Sequence, residues 1–400
     1  MNTASASGYL NNLLVGRPAA SPLAWLNQLR AHAVDRVGAL TVPNTRDEDW
    51  RFTDISPLTK LTFQPAQEVS PLAPAAIEPW AIGESAARLV FVDGIYAPQH
   101  SFNRAGLVVE NLAAGLNRHG AAPQTQLGRL AAFERNAFAA LNTAFLHDGA
   151  LIVVPRDLAL AAPVHLLFVA THPHAASYPR CLVIAESGSA LTLVEDYVAL
   201  QDEAYFTNAV TEIALGANAQ VNHVRVQREG AEAFHIANCA VSLARSSRYH
   251  AVSVALGARI SRHSLGVVLA AEGAECSIDG LALIGGRQLA DTHTLIDHAV
   301  AQCLSRQLHK CIVDGAAHAV FNGNILVRAG AQRTDSAQSS RNLLLSGKAR
   351  VDTKPQLEIF ADDVKCTHGA TVGRLDDQAL FYMKSRGIGG ERARSLLTYA

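Results

Sequence analysis

Two regimes of hydrophobic patterning divide the chain. Up to about residue 150 the apolar positions recur at helical intervals. Leu23, Leu26 and Leu29 follow Ser21-Pro22, and proline is tolerated at a helix start. The segment 126–146, QLGRLAAFERNAFAALNTAFL, repeats apolar residues at Leu130, Phe133, Ala137, Phe138 and Leu141 and predicts a long amphipathic helix. Between the two, Pro65, Pro71, Pro74 and Pro79 break regularity. From about Ala150 the interval shortens to two. LIVVP and HLLFVA read as short buried strands, and alternating segments such as VNHVRVQ, HAVSVAL and RISRHSLGVVL follow for some two hundred residues. Strands this numerous, with no helical stretch between them, exclude a doubly wound α/β fold.

A weak repeat runs through the strand-rich region. Gly followed by a small residue recurs at Gly188, Gly216, Gly257, Gly273, Gly315 and Gly330. Several intervals are 15 to 17 residues and others are longer, so a turn of two or three short strands is expected, with skipped coils or insertions. The pattern predicts a mainly β chain whose core, residues 151–374, is a parallel β-solenoid; an antiparallel sandwich with glycine turns is the alternative. A solenoid must cover or use the strand edges at its two ends. Helical segments lie where such caps belong, in a helical and loop-rich domain at 1–150 and a C-terminal segment at 375–400. There Asp376 can cap one helix and Glu391 opens another, ERARSLLTYA.

Composition narrows the function classes. The chain has 400 residues, 49% hydrophobic but only 6% aromatic, with 17% charged residues against the roughly 25% usual in soluble domains. Its 34 Lys and Arg nearly cancel 35 Asp and Glu, so no overall field draws it to nucleic acid or anionic lipid. The N-terminus lacks a secretory pattern, and no run of about 18 uncharged apolar residues occurs. Six dispersed cysteines form no CxxC pair, which suits a reducing compartment. A cytoplasmic protein is expected, or one of the plastid stroma after removal of a transit peptide.

The most specific segments lie near the C-terminus: PQLEI (355–359), ADDVKCTHGATVG (361–373) and LFYMKSRGI (380–388). With DEDWRFTDISPL (47–58) and FAALNTAFLHDG (138–149), they closely resemble the SufB/SufD family, scaffold proteins of the SUF iron–sulfur cluster assembly system. The resemblance is to the SufD branch. SufB-type members carry a functional cysteine in a K-C-G-A-H run where NLLLSGKARVDT (342–353) has Ala349-Arg350. The family likeness implies a right-handed parallel β-helix between helical domains and a non-catalytic scaffold. It also implies a heterodimer with a SufB homologue, or a homodimer in isolation, and docking of the SufC ATPase at the C-terminal helices. Asp376, Leu380, Phe381, Tyr382, Arg386 and Arg392 mark that docking region. Family members usually continue with further helix beyond LLTYA, so in a chain stopping at Ala400 the docking surface is expected to be shortened or incompletely represented.

Candidate chemistry centres on Cys366-Thr367-His368. In an extended strand, residues two apart share a face, so thiol and imidazole stand side by side. Both suit iron, although two ligands cannot close a four-coordinate site. The competing reading is a small buried cysteine and a hydrogen-bonded turn histidine. The family resemblance implies that His368 acts with the cysteine of SufB in nascent-cluster assembly across the subunit seam. Iron or a nascent cluster would then be transient and shared, with no tightly bound cofactor. Glu358, Asp362 and Asp363 are weaker candidates for iron entry, or are solvated residues turning the chain. His293, His298, Cys303, His309 and Cys311 match no zinc template and read as structural, with a polar channel in the solenoid as the alternative. Ser346-Gly347-Lys348-Ala349 is no P-loop, and neither a Ser/His/Asp order nor a GxSxG elbow is present. A carbohydrate-active β-helix enzyme is the competing class; it would need a groove of clustered charged residues and is generally exported.

Overall fold

The computed structural model describes residues 3–104 and 106–399. From Gly149 onward the described chain winds through eight coils, each placing one strand in each of two parallel sheets. The first coil holds Gly149–Val154 and Val164–Ala170, and the eighth holds Arg350–Ile359 and Val364–Arg374. The core is thus the parallel solenoid expected, but its period differs. Phe234 pairs with Ile260, 26 residues on, whereas His318 pairs with Arg350, 32 residues on. A full coil is two strands of about ten residues plus two corners. The 15-to-17-residue glycine interval therefore measures half a coil, and the 28-residue interval between Gly188 and Gly216 is a whole one, with nothing skipped.

Register stacks like on like inside the solenoid. Ile213, Val241, Val267, Ile296, Ile325 and Leu357 form one continuous aliphatic column through six coils. Each fully buried member contributes roughly 1.5–3 kcal/mol through removal from water. The facing sheet is more polar within. Glu195, Arg225, Ser253, Gly280, His309 and Ser340 form a column of their own. Gly280 is required there, because a Cβ would lie 2.1 Å from Nδ1 of His309, whose ring stacks on Phe321 at 4.6 Å.

The two ends differ. At the first coil, Ala87–Val92 adds a parallel strand to Val164–Ala170, and Val108–Asn111 adds an antiparallel one to Gly149–Val154. A stack of Phe91, Phe168 and Tyr197, with centroids 5.1 and 4.7 Å apart, locks this end. The eighth coil has no strand beyond it among the described residues. Both its strands keep one bare edge, and Val364–Arg374 is exposed along most of its length.

The N-terminal region lies against the outer face of the first sheet. Helix Ala24–Ala39 forms as the spacing predicts, burying Leu26, Arg30, Ala33 and Val37, with Leu29 half-buried. The helix expected over 126–146 is a correction: only Ala137–Ala144 is helical there, with a short helix at Ala121–Gln126 before it. Backbone N–H groups of Gly128, Leu130 and Ala131 all donate to the buried carboxylate of Glu212, at 2.9, 2.9 and 3.2 Å. That anchor outcompetes the helical hydrogen bonds of the intervening residues. The segment 47–58 is a second tie. Trp50 stacks on the Arg262 guanidinium at 3.8 Å, Thr53 donates to Asp291 at 2.6 Å, and Glu48 pairs with Lys354 of the last coil.

Beyond the solenoid, helix Asp377–Ser385 is capped by Asp376, which accepts from the N–H of Gln378 at 2.8 Å. Helix Gly390–Tyr399 carries Glu391 in its first turn, while Ala400 lies outside the described residues. No helix among the described residues is long and apolar enough to cross a membrane.

Candidate functional site

The last strand, Val364–Arg374, sets the geometry of the open end. It pairs with Thr334–Leu344 so that Cys366 stands over Ser336 and His368 over Gln338. Ser336 and Gln338 are buried, at 1% and 3% exposure, which defines the inward face of their strand. Cys366 and His368 therefore share the face that continues the solenoid interior. Because no ninth coil closes it, His368 is exposed and Cys366 half-buried. Among the described residues His368 makes no hydrogen bond or ion pair, so its imidazole is unpartnered at the open end.

The carboxylates lie elsewhere. Glu358 points outward from the opposite sheet and accepts from Asn324 at 2.6 Å. Asp362 and Asp363 turn the chain between the last two strands, both exposed, with Asp363 3.9 Å from Arg333. Asp363 is five residues from His368 along an extended strand, roughly 16 Å away at the usual rise. Only Cys366 and His368 are brought together.

The second histidine–cysteine set is scattered. His293 faces outward beside Asp291, at 3.0 Å. His298 bonds Ser305 at 2.9 Å, His309 stacks on Phe321, and Cys303 and Cys311 are buried. No group of three or more His, Cys, Asp or Glu placed to hold a metal ion is found among the described residues.

Cys366 is also set apart among the thiols. Burial pushes Cys276 and Cys311 up to about 12, and raises Cys181, Cys239 and Cys303 as well. Cys366 is raised by partial burial, with Asp335 adding to it, but it is the half-buried thiol where the other five are buried. Iodoacetamide at neutral pH should label Cys366 at least tenfold faster than the other five in the folded chain. Mass spectrometry after brief exposure measures this; equal labelling of a second thiol would show that the solenoid opens elsewhere.

At the C-terminal helices, Leu380 is buried, whereas Phe381 and Tyr382 are 74% and 59% exposed. Arg386 lies over the Tyr382 ring at 5.1 Å, and Asp376 and Arg392 are exposed. An aromatic pair flanked by charge is thus presented to solvent, and Leu380 is withdrawn from it as a packing residue.

Comparison with known proteins agrees with this architecture. Residues 168–400 match the family model described as "SUF system FeS cluster assembly, SufBD core domain", and residues 19–166 match "SufBD protein N-terminal region". The chain belongs to the SufBD family. It is a component of the SUF iron–sulfur cluster assembly system, and family members are assembly components rather than catalysts. It is 40% identical over 382 residues to an iron–sulfur cluster assembly SufBD family protein of Synechocystis, covering 92% of this chain and 84% of that one. It is 35% identical over 365 residues to iron–sulfur cluster assembly protein SufD of Escherichia coli, covering 90% and 83%. A chloroplastic protein of Arabidopsis thaliana is 30% identical over 400 residues, covering 93% and 80%. Membership in this family removes the carbohydrate-enzyme reading.

Sequence reasoning missed Gln338 and Glu212. Each reads as an ordinary polar residue of an alternating strand, and nothing local marks either one.

Proposed function

We propose that this chain is the SufD-type scaffold subunit of a SUF complex. It pairs through its open eighth coil with a SufB homologue, and its C-terminal helices receive the SufC ATPase. The observation that carries this reading is the bare last coil, which exposes two unpaired strand edges and an unpartnered imidazole at one end of the solenoid. Such edges favour strand addition, which satisfies main-chain groups that would otherwise need water. Pairing there sets His368 and Cys366 at the seam, where an incoming iron ion or growing cluster would take a ligand from each subunit. Six unpaired cysteines suit the reducing interior of a cell or plastid. Asp362, Asp363 and Glu358 lie at the rim of the same coil, where they would attract iron without closing a site.

Co-expression with SufB and SufC homologues, followed by anaerobic reconstitution, tests the reading. His368→Ala should leave the complex intact on a sizing column and lower cluster absorbance by more than tenfold. Cys366→Ala should have a smaller effect. A His368→Ala complex that assembles clusters at the unmodified rate would refute the assignment.

A further inference from the structure

Beneath His368 the interior carries a hydrogen-bonded ladder with one end open. Gln307 donates through Nε2 to Thr294 across the interior at 2.8 Å, and its Oε1 accepts from Nε2 of Gln338 at 2.8 Å. This bond leaves Oε1 of Gln338 buried and unpartnered. A buried acceptor without a donor costs roughly 1–3 kcal/mol, so its persistence calls for a reason. Nε2 of His309 is also buried without a partner, but that ring lies against Gly280 and Phe321, and the nearby hydroxyls are occupied. Ser336 bonds Ser305 at 2.7 Å, and Ser340 contacts Asn342 at 3.0 Å and Thr353 at 3.1 Å. Across the interior, Gly323 makes room for the amide, since a Cβ there would lie 2.2 Å from Nε2 of Gln338. What remains in register, one rung on and about 4.8 Å away in the hydrogen-bonding direction, is His368.

We infer that Gln338 is a positioning residue for His368. Its Oε1 accepts the N–H of one ring nitrogen, selects a single neutral tautomer, and leaves the lone pair of the other nitrogen facing out of the open coil. Histidines that bind metal commonly hold their second ring nitrogen in this way, and loss of such a partner costs about 10–100-fold in affinity or activity. The ladder Thr294–Gln307–Gln338 fixes the amide orientation from below, so the acceptor cannot be exchanged for a donor without breaking the bond to Gln307. The assignment of Gln338 to His368 stands on the ladder; its use in cluster assembly rests on the function proposed above.

The test is long-range proton–nitrogen NMR on the full-length chain labelled at its histidines, with His368 assigned by comparison with His368→Ala. In the unmodified protein one His368 ring nitrogen should show the protonated shift and the other the lone-pair shift. Gln338→Met, similar in size and unable to accept strongly, should give averaged shifts for His368 while other histidines keep theirs. Gln338→Glu, which still offers an acceptor, should restore a single tautomer. Identical His368 spectra in unmodified and Gln338→Met protein would overturn the inference, as would averaged shifts in both. In the reconstituted complex Gln338→Met should slow cluster formation on the order of tenfold. An NMR effect alongside fully active His368→Ala would uphold the positioning and refute the proposed function instead.

Discussion

Glu212→Ala should destabilise the protein by about 3–5 kcal/mol, among the largest losses any single surface-remote substitution here would cause. Glu212 and Arg180 are both 0% exposed and form a buried ion pair on the outer side of the first sheet, beneath the N-terminal region. Removing one partner leaves the other charge without compensation in a medium that solvates it poorly. Glu212 also accepts from three backbone N–H groups at 128–131, and Arg180 donates to Asn142 and Thr143 at 3.1 Å. The loss should therefore spread along the segment 127–144. Thermal denaturation together with limited proteolysis checks both parts: a lower midpoint, and new cleavage near residues 128–136. The double variant Arg180→Met, Glu212→Leu separates the causes. Two apolar side chains remove the stranded charge, so it should recover part of the midpoint while cleavage at 128–136 persists. A Glu212→Ala midpoint within one degree of the unmodified protein would contradict the account.

Acid should unfold the chain well before most carboxylates are titrated. Burial pushes His165, His298 and His309 down to about 4, from an ordinary value of 6.5. A base whose folded value lies below its unfolded value binds fewer protons when folded. Stability is therefore constant above about pH 6.5 and falls as pH drops from there toward 4. Each histidine contributes about 1.4 kcal/mol per pH unit in that window, so three give about 4 kcal/mol per unit and about 10 kcal/mol across it. That exceeds the reserve of many proteins. His263 and His235 are shifted in the same direction by burial and add to the slope. Carboxylates act lower down: Asp291, held at about 2 by Arg262 against the cost of burial, loses its contribution only below its ordinary value of 3.8. The melting temperature should be flat between pH 7 and 8 and fall steeply from pH 6.5 to 5. His309→Gln should reduce that steepness by roughly a fifth to a third. A profile flat down to pH 5 would mean that these imidazoles reach solvent in the folded state.

Much of this architecture is readable in the chain, and what is not has identifiable causes. Alternation in RISRHSLGVVL is enough to give a strand, because Leu265, Val267 and Leu269 face inward on the aliphatic sheet; VNHVRVQ also alternates, but there His223, Arg225 and Gln227 are the buried residues and Val224 and Val226 the half-buried ones. The coil length is obscured because the inward positions of the other sheet hold Glu195, Arg225, His309 and Gln338, which erase the contrast between faces. The helix at 126–146 is overextended for a different reason. Its competitor is the Glu212 carboxylate, more than eighty residues away, and no local pattern reports a contact at that distance. Likewise, Thr53 meets Asp291 238 residues further on. The spacing of Cys366 and His368 reveals that they share a face. That this face looks along the interior follows only from register with Gln338, since neither residue is flanked by a hydrophobic alternation that would point inward.

The asymmetry between the two ends limits how large an assembly can grow. Short antiparallel strands and the Phe91 stack stopper one extremity, leaving edges of only two to four residues there, whereas the other extremity offers a full rung of ten or eleven. Joining two such rods consumes both full rungs and leaves only the short edges. Under the pairing proposed above, the contact closes on two molecules, and the stopper guards against the runaway polymerisation that bare β edges otherwise invite.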